Sequence, residues 1–185
     1  MFSLKRILFG MLILLAGISF ADQPAFVKEF LGQVDFVEGR LTQLAEAMPE
    51  DAYDWRPGDG VRSVGEVYLH VAFGNYLWVT LCGGKVPEDV GFVADQSKIH
   101  DWDIQTSDKA EIIATMKKSF DVLRKTVKDF TQEDLDNKEI EFFGMKTSLR
   151  NFLVSGIAHS HEHLGQSIAY ARMNSVTPPW SKSQD

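Results

Sequence analysis

The chain has 185 residues, of which 24% are charged, and it carries a net charge of −7. This length is enough for one domain with a hydrophobic core. Nucleic-acid binding is disfavoured, because an acidic protein repels phosphate backbones and the sequence has no basic stripe with interleaved aromatic residues. The single cysteine, Cys82, cannot form an internal disulfide, and its position after an apolar run predicts a buried, inert thiol. The core or a metal must therefore stabilise the fold.

Residues 1–21 have the features of a secretory signal peptide. Lys5 and Arg6 precede an apolar run of 14 residues, and Ala21 ends a small-x-small cleavage site. Such a run is shorter than the about 20 residues that span a bilayer. An uncleaved N-terminal anchor is the alternative, but no stop-transfer flank follows the run. We predict an exported protein, periplasmic or extracellular, whose mature domain comprises residues 22–185 and has no stable membrane span.

Four segments of the mature chain have apolar residues at intervals of three and four, the periodicity of helices. These segments are residues 24–48, 63–82, 108–130 and 148–174. The second segment opens with Ser63 and Glu66, which have the spacing of a capping box. Pro49 follows the first segment and Pro178 follows the fourth, and neither residue can continue a helix.

The connections between these segments differ in length. A long polar connection, residues 85–107, contains Phe92 and Trp102 and is a candidate lid or interface. A short extended piece, residues 139–143, leads to Gly144. Since there is no strong strand signal, the sequence predicts an all-α fold, a four-helix bundle with a long crossover loop.

The fourth segment carries polar residues on its buried face. Successive residues of a helix are about 100° apart, so His159, His163 and Gln166 share one stripe with apolar neighbours. Two histidines four residues apart lie one above the other and are spaced for bidentate metal capture. Gly156, one turn earlier, leaves room for a close neighbour or a ligand. His161 lies about 160° from the midpoint of the two histidines and cannot share their metal.

The second segment supplies a third histidine. His70 lies in the middle of its apolar face, and Glu66 lies one turn earlier, where it could orient the ring or act as a fourth ligand. His100, in the long connection, is expected to be an ordinary surface histidine. The spacing alone also allows a polar core, in which each histidine binds a backbone carbonyl. A His-x-x-x-His pair is by itself a weak pattern.

Several strings in the sequence resemble the DinB-like superfamily of metalloenzymes. The strings are residues 55–57 (WRP), 69–72 (LHVA), 159–166 (HSHEHLGQ), 170–174 (YARMN) and 178–181 (PPWS). The last two are similar to the ending common in the exported branch of that family. The resemblance covers most of the mature chain.

This resemblance implies a four-helix bundle that holds a divalent metal, usually zinc or nickel. One histidine of the second helix and two of the last would bind this metal. In this sequence they correspond to His70, His159 and His163. Relatives include thiol-dependent transferases and isomerases, but their small thiol cofactors are mainly cytoplasmic, whereas this chain carries an export signal.

We therefore expect a metal-dependent enzyme, a hydrolase or a thiol transferase, with Glu66 or Gln166 steering the attacking group. The alternative is a non-catalytic metal-binding, ligand-binding or stress protein of the envelope. Its partner would be a small molecule of unknown identity, and a homodimer through the bundle faces is a further expectation.

Overall fold

The computed structural model describes residues 23–181. The predicted signal peptide, residues 1–21, lies outside the described residues and stays a prediction. Within residues 23–181 no helix combines the length and the hydrophobicity needed to cross a membrane.

Four long helices and two short ones make up most of the fold, in agreement with the predicted segments. They are α1 (Ala25–Ala47), α2 (Val64–Leu81), α3 (Ile99–Asp103), α4 (Lys109–Val127), α5 (Gln132–Asn137) and α6 (Leu149–Met173). The long helices α1, α2, α4 and α6 form a bundle in which α1 and α2 each pack against both α4 and α6. The predicted four-helix bundle is confirmed, and its core lies between these helices.

Helix α2 is the most deeply buried of the four. It packs against α3 as well as α4 and α6. Buried residues therefore occur on all faces of this helix. Its start is fixed by a capping box, in which the Ser63 hydroxyl accepts from the backbone N–H of Glu66 and the Glu66 carboxylate accepts from that of Ser63. The backbone N–H groups of Val64 and Gly65 donate to the carbonyls of Trp55 and Tyr53. The helix that carries His70 is therefore held firmly at its first turn.

The long connection of residues 85–107 contains a helix and packs against α2. It contains α3, and its aromatic residues attach it to α2: the Trp102 indole N–H donates to the Leu69 carbonyl at 3.0 Å. Phe92 packs edge-on against Phe73, with the ring centroids 5.2 Å apart. These contacts place the end of α3, at Asp103, beside the middle of the bundle.

The all-α prediction is corrected by a small β-hairpin. The extended piece forms β1 (Glu139–Phe142), which pairs antiparallel with β2 (Met145–Ser148). Phe143 and Gly144 connect the strands with φ of 50° and 72°, and two positive φ angles are typical of the turn that matches strand twist in a two-residue hairpin. The second strand was not predicted, because the sequence 145–148 has only one β-branched residue.

Candidate metal centre

Three histidine side chains meet between α2 and α6. The Nε2 atom of His159 lies 3.4 Å from that of His70 and 3.2 Å from that of His163. Nitrogen atoms of all three rings lie within 4.8 Å of one another, and these residues form a group that could hold a metal ion. Zn–N bonds of about 2.0–2.1 Å would place two nitrogens of a tetrahedral site about 3.3 Å apart. The two measured separations therefore fit the edge of such a site.

Burial keeps two of the rings, those of His159 and His163, neutral. Burial lowers the pKa of His159 to about 3, and mutual repulsion with His163 and His70 and the charge of Arg62 contribute to this decrease. Burial is also the main cause that lowers the pKa of His163. A neutral imidazole is the form that binds a metal. At neutral pH His159 and His163 can therefore act as ligands without first losing a proton.

Glycines on both helices make room for the His159 ring. A Cβ atom at Gly74 would lie 2.7 Å from Cε1 of His159, so only glycine allows the ring to reach this position. The ring also stacks on Trp78, with centroids 5.3 Å apart. Trp78 in turn lies over Gly156, where an added Cβ would be 2.5 Å from the indole, and its N–H donates to the Phe152 carbonyl at 3.0 Å. The predicted role of Gly156, to admit a close neighbour, is confirmed.

A carboxylate that the sequence did not single out faces His70. The Oδ2 atom of buried Asp103 lies 3.4 Å from Nδ1 of His70 and accepts a hydrogen bond from Nε of Arg62 at 2.6 Å. A carboxylate in this position favours a proton on Nδ1 and leaves the lone pair on Nε2. The only hint in the sequence is that Asp103 follows Trp102, an apolar anchor in an otherwise polar connection.

A second chain of contacts supports His163. Its Nδ1 lies 2.8 Å from Oε1 of Gln166, and Nε2 of Gln166 donates to the Tyr170 hydroxyl at 2.9 Å. That hydroxyl donates to the backbone carbonyl of Arg62 at 3.1 Å, while Trp55 packs edge-on against the Tyr170 ring. Because the amide oxygen only accepts, Nδ1 of His163 carries the proton and its Nε2 carries a lone pair.

The other candidate residues have different surroundings. Both oxygens of Glu66 are engaged, by the Arg56 guanidinium and by the backbone N–H of Ser63, and the carboxylate next to His70 belongs to Asp103. His161 stacks on Phe36 of α1, with the ring centroids 6.0 Å apart. This agrees with the prediction that His161 points away from His159 and His163. His100 is exposed.

One cavity opens onto two of the histidines, and a second lies beside residues that support them. An apolar one of about 320 Å³ is lined by His70 and His159 together with Trp78, Leu77 and the hairpin residues Phe142 and Phe143. A polar one of about 560 Å³ is lined by Gln166, Asp103, Arg62 and Arg56. Gln96 and Ile99 border both. The apolar cavity therefore gives small molecules access to His70 and His159.

The fold has counterparts among known proteins. The sequence matches the model of the DinB superfamily over residues 33–167, and the chain therefore belongs to that superfamily. A crystal structure of a DinB-like protein from Bacillus cereus is similar, with a TM-score of 0.69 and 18% identity, over 82% of this chain and 95% of that chain. Another, of a DinB-like protein from Bacillus subtilis, has a TM-score of 0.60 and 18% identity, over 80% of this chain and 94% of that chain. No curated protein sequence matches the chain.

Proposed function

We propose that the protein binds a divalent metal through Nε2 of His70, His159 and His163. The observation that carries this proposal is the convergence of the three Nε2 atoms, together with an oxygen atom that faces Nδ1 in two of the rings. Asp103 and Gln166 favour protonation of Nδ1 in His70 and His163, so both rings direct an Nε2 lone pair at Nε2 of His159. His159 has at most one proton there, so at least one of the two close contacts lacks a hydrogen bond. A cation between the rings satisfies all three lone pairs.

The donor set supports zinc or nickel. All three ligands are imidazoles, which suit late first-row metals, whereas magnesium and calcium prefer oxygen ligands.

We further propose a metal-dependent enzyme rather than a structural metal site. Structural zinc sites have four protein ligands, whereas three histidines leave a position for water or substrate. A bound divalent ion would supply Lewis-acid activation of water or of a thiol at neutral pH. The chain's own residues keep the ligands in place: Asp103 and Gln166 fix two ring orientations, and the apolar cavity admits a substrate. Predicted export favours hydrolysis over thiol transfer, because small thiol cofactors are mainly cytoplasmic.

Elemental analysis of purified protein tests metal binding. The wild type should carry stoichiometric zinc or nickel, His70→Ala should lose most of it, and His161→Ala is the matched control that should retain it. Absence of metal from the wild type, or full retention by His70→Ala, would refute the proposal.

X-ray absorption on the metal-loaded protein separates the two kinds of site. Three nitrogen ligands and an exchangeable oxygen ligand are expected for an enzyme. A fourth ligand from the protein would instead establish a structural site.

A further inference from the structure

The apolar cavity beside the histidines is built from aromatic side chains. Trp78 and Phe142 are packed 5.4 Å apart, and Phe142 contacts Phe143 at 4.2 Å between centroids. The cavity opens directly onto His70 and His159. A metal site needs no such neighbour for its own stability, so the apolar wall is available to bind a ligand.

Phe143, on the rim of this cavity, has an unfavourable conformation. It is 67% exposed and has φ of 50°, a region that a bulky side chain rarely adopts. Hairpin turns of this type normally place asparagine, aspartate or glycine at this position. An exposed aromatic side chain held in a strained turn costs stability, and such strain is characteristic of ligand-binding positions.

The polar cavity presents unpaired N–H donors of a guanidinium group. Nε of Arg62 is bonded to Asp103, but within residues 23–181 its two terminal nitrogens have no protein partner. Arg56 with Glu66 and Arg62 with Asp103 line this cavity as two ion pairs whose charges balance. The histidines add no negative charge, so a divalent ion would leave the centre positive. A metal-loaded centre is therefore suited to an anionic group, and the terminal nitrogens of Arg62 are available as donors to it.

We propose that the substrate is a small organic anion with a hydrophobic body. The body occupies the apolar cavity under Phe143, and the anionic end lies at the three histidines and the terminal nitrogens of Arg62. This inference rests on the proposed function, since it names the substrate class of the same site. A volume of about 320 Å³ is that of roughly ten water molecules, which is enough for a body of one or two aromatic rings or an alkyl chain of similar size.

Three matched probes test the two ends of this ligand by calorimetric titration of the zinc-loaded protein. 3-Phenylpropionate has both features, 3-phenylpropanol lacks the charge, and propionate lacks the hydrophobic body. The first should bind at least roughly tenfold more tightly than either of the others, because each end contributes a charge-assisted or an aromatic contact. Equal affinities for the three probes, or no binding of 3-phenylpropionate, would overturn the inference.

Two variants of the hairpin identify the apolar contact. Phe143→Ser should weaken 3-phenylpropionate binding by roughly tenfold. Met145→Ser is the control, because Met145 is also 67% exposed in the same hairpin but does not line the cavity. Equal affinities of the two variants would contradict the role of Phe143.

The same titrations on metal-free protein distinguish this inference from the proposed function. There, Arg62→Gln should reduce the preference for the acid over the alcohol, independently of any effect on the metal. If the protein binds no zinc but retains the dependence on Phe143 and Arg62, the proposed function fails and the ligand class is supported. If zinc binds and neither variant changes probe binding, the ligand class fails and the metal site stands.

Discussion

Asp103 and His70 are in contact although 33 residues separate them in the sequence. Oδ2 of Asp103 lies 3.4 Å from Nδ1 of His70, and the same oxygen accepts from Arg62. Asp103 comes from α3, in the connection between two long helices, and not from the helix that carries His70. The support for this ring therefore depends on how the connection packs against α2.

Replacing Asp103 with asparagine keeps the size of the side chain and removes its charge. We expect metal affinity to fall by roughly 10- to 100-fold, the usual effect of losing a carboxylate that orients a ligating histidine. Competition with a chromogenic chelator measures the affinity. Asp101→Asn is the control, because Asp101 is in the same short helix but pairs with exposed Lys98. Equal losses in both variants would show that the contact with His70 has no role.

Gly74→Ala tests the space that His159 requires. The new methyl group would lie 2.7 Å from Cε1 of His159, and the His159 ring is also held by stacking on Trp78. We expect the ring to shift and metal affinity to fall, as measured by the same competition with a chromogenic chelator.

Gly165, in α6, provides the control, because an added Cβ there meets nothing within 4 Å. Gly165→Ala should keep metal affinity and raise the free energy of unfolding by up to about 1 kcal/mol through helix propensity. Unchanged metal binding in Gly74→Ala would contradict the close approach.

The stability of the metal-free protein should decrease in acid. Burial lowers the pKa of His159 from 6.5 to about 3, so between these values the unfolded chain binds more protons than the folded one. The free energy of unfolding therefore declines as pH falls below 6.5, and it does so progressively towards pH 3. Urea unfolding at several pH values measures this decline. His159→Gln should reduce the slope, whereas His161→Gln should not, and identical slopes in the two variants would be evidence against a buried neutral His159.

The Cys82 thiol should be inert in the native protein. Burial raises its pKa to about 12, and the nearby positive charge of Lys138 only partly opposes this effect. Since the thiolate is the reactive form, an aromatic disulfide reagent should not react until the chain is unfolded in guanidinium. Absorbance of the released thiolate follows the reaction. Rapid labelling in native buffer would mean that Cys82 is accessible.

The complete ligand set with His70 was implied by the family resemblance. The sequence pattern by itself was sufficient to predict the long helices and the shared face of His159 and His163. Both depend on local periodicity, because residues three and four apart share a face and the capping residues lie within the same turn. The buried positions of α1, from Val27 to Leu44, follow this spacing. The same angular argument separates His161 from His159 and His163, and the stacking of His161 on a residue of α1 agrees with it.

Asp103, Arg62 and the apolar cavity could not be predicted, because they depend on contacts between distant segments. The polar connection gave no periodic signal, so the position of Asp103 beside His70 follows only from the packing of Trp102 on α2. The hairpin was missed for a similar reason. The conformation of Phe143 is set by strand pairing and contradicts its own preference, which no local rule anticipates.

Arg62 connects the two supports of the histidines. Its side chain donates to Asp103, behind His70, and its carbonyl accepts from Tyr170, which binds Gln166 behind His163. One loop residue before α2 thus joins histidine supports that come from different helices. The two supports are consequently not independent, and a shift of the backbone at Arg62 would disturb both rings together. The ability to hold a metal should then be gained or lost cooperatively rather than one ligand at a time.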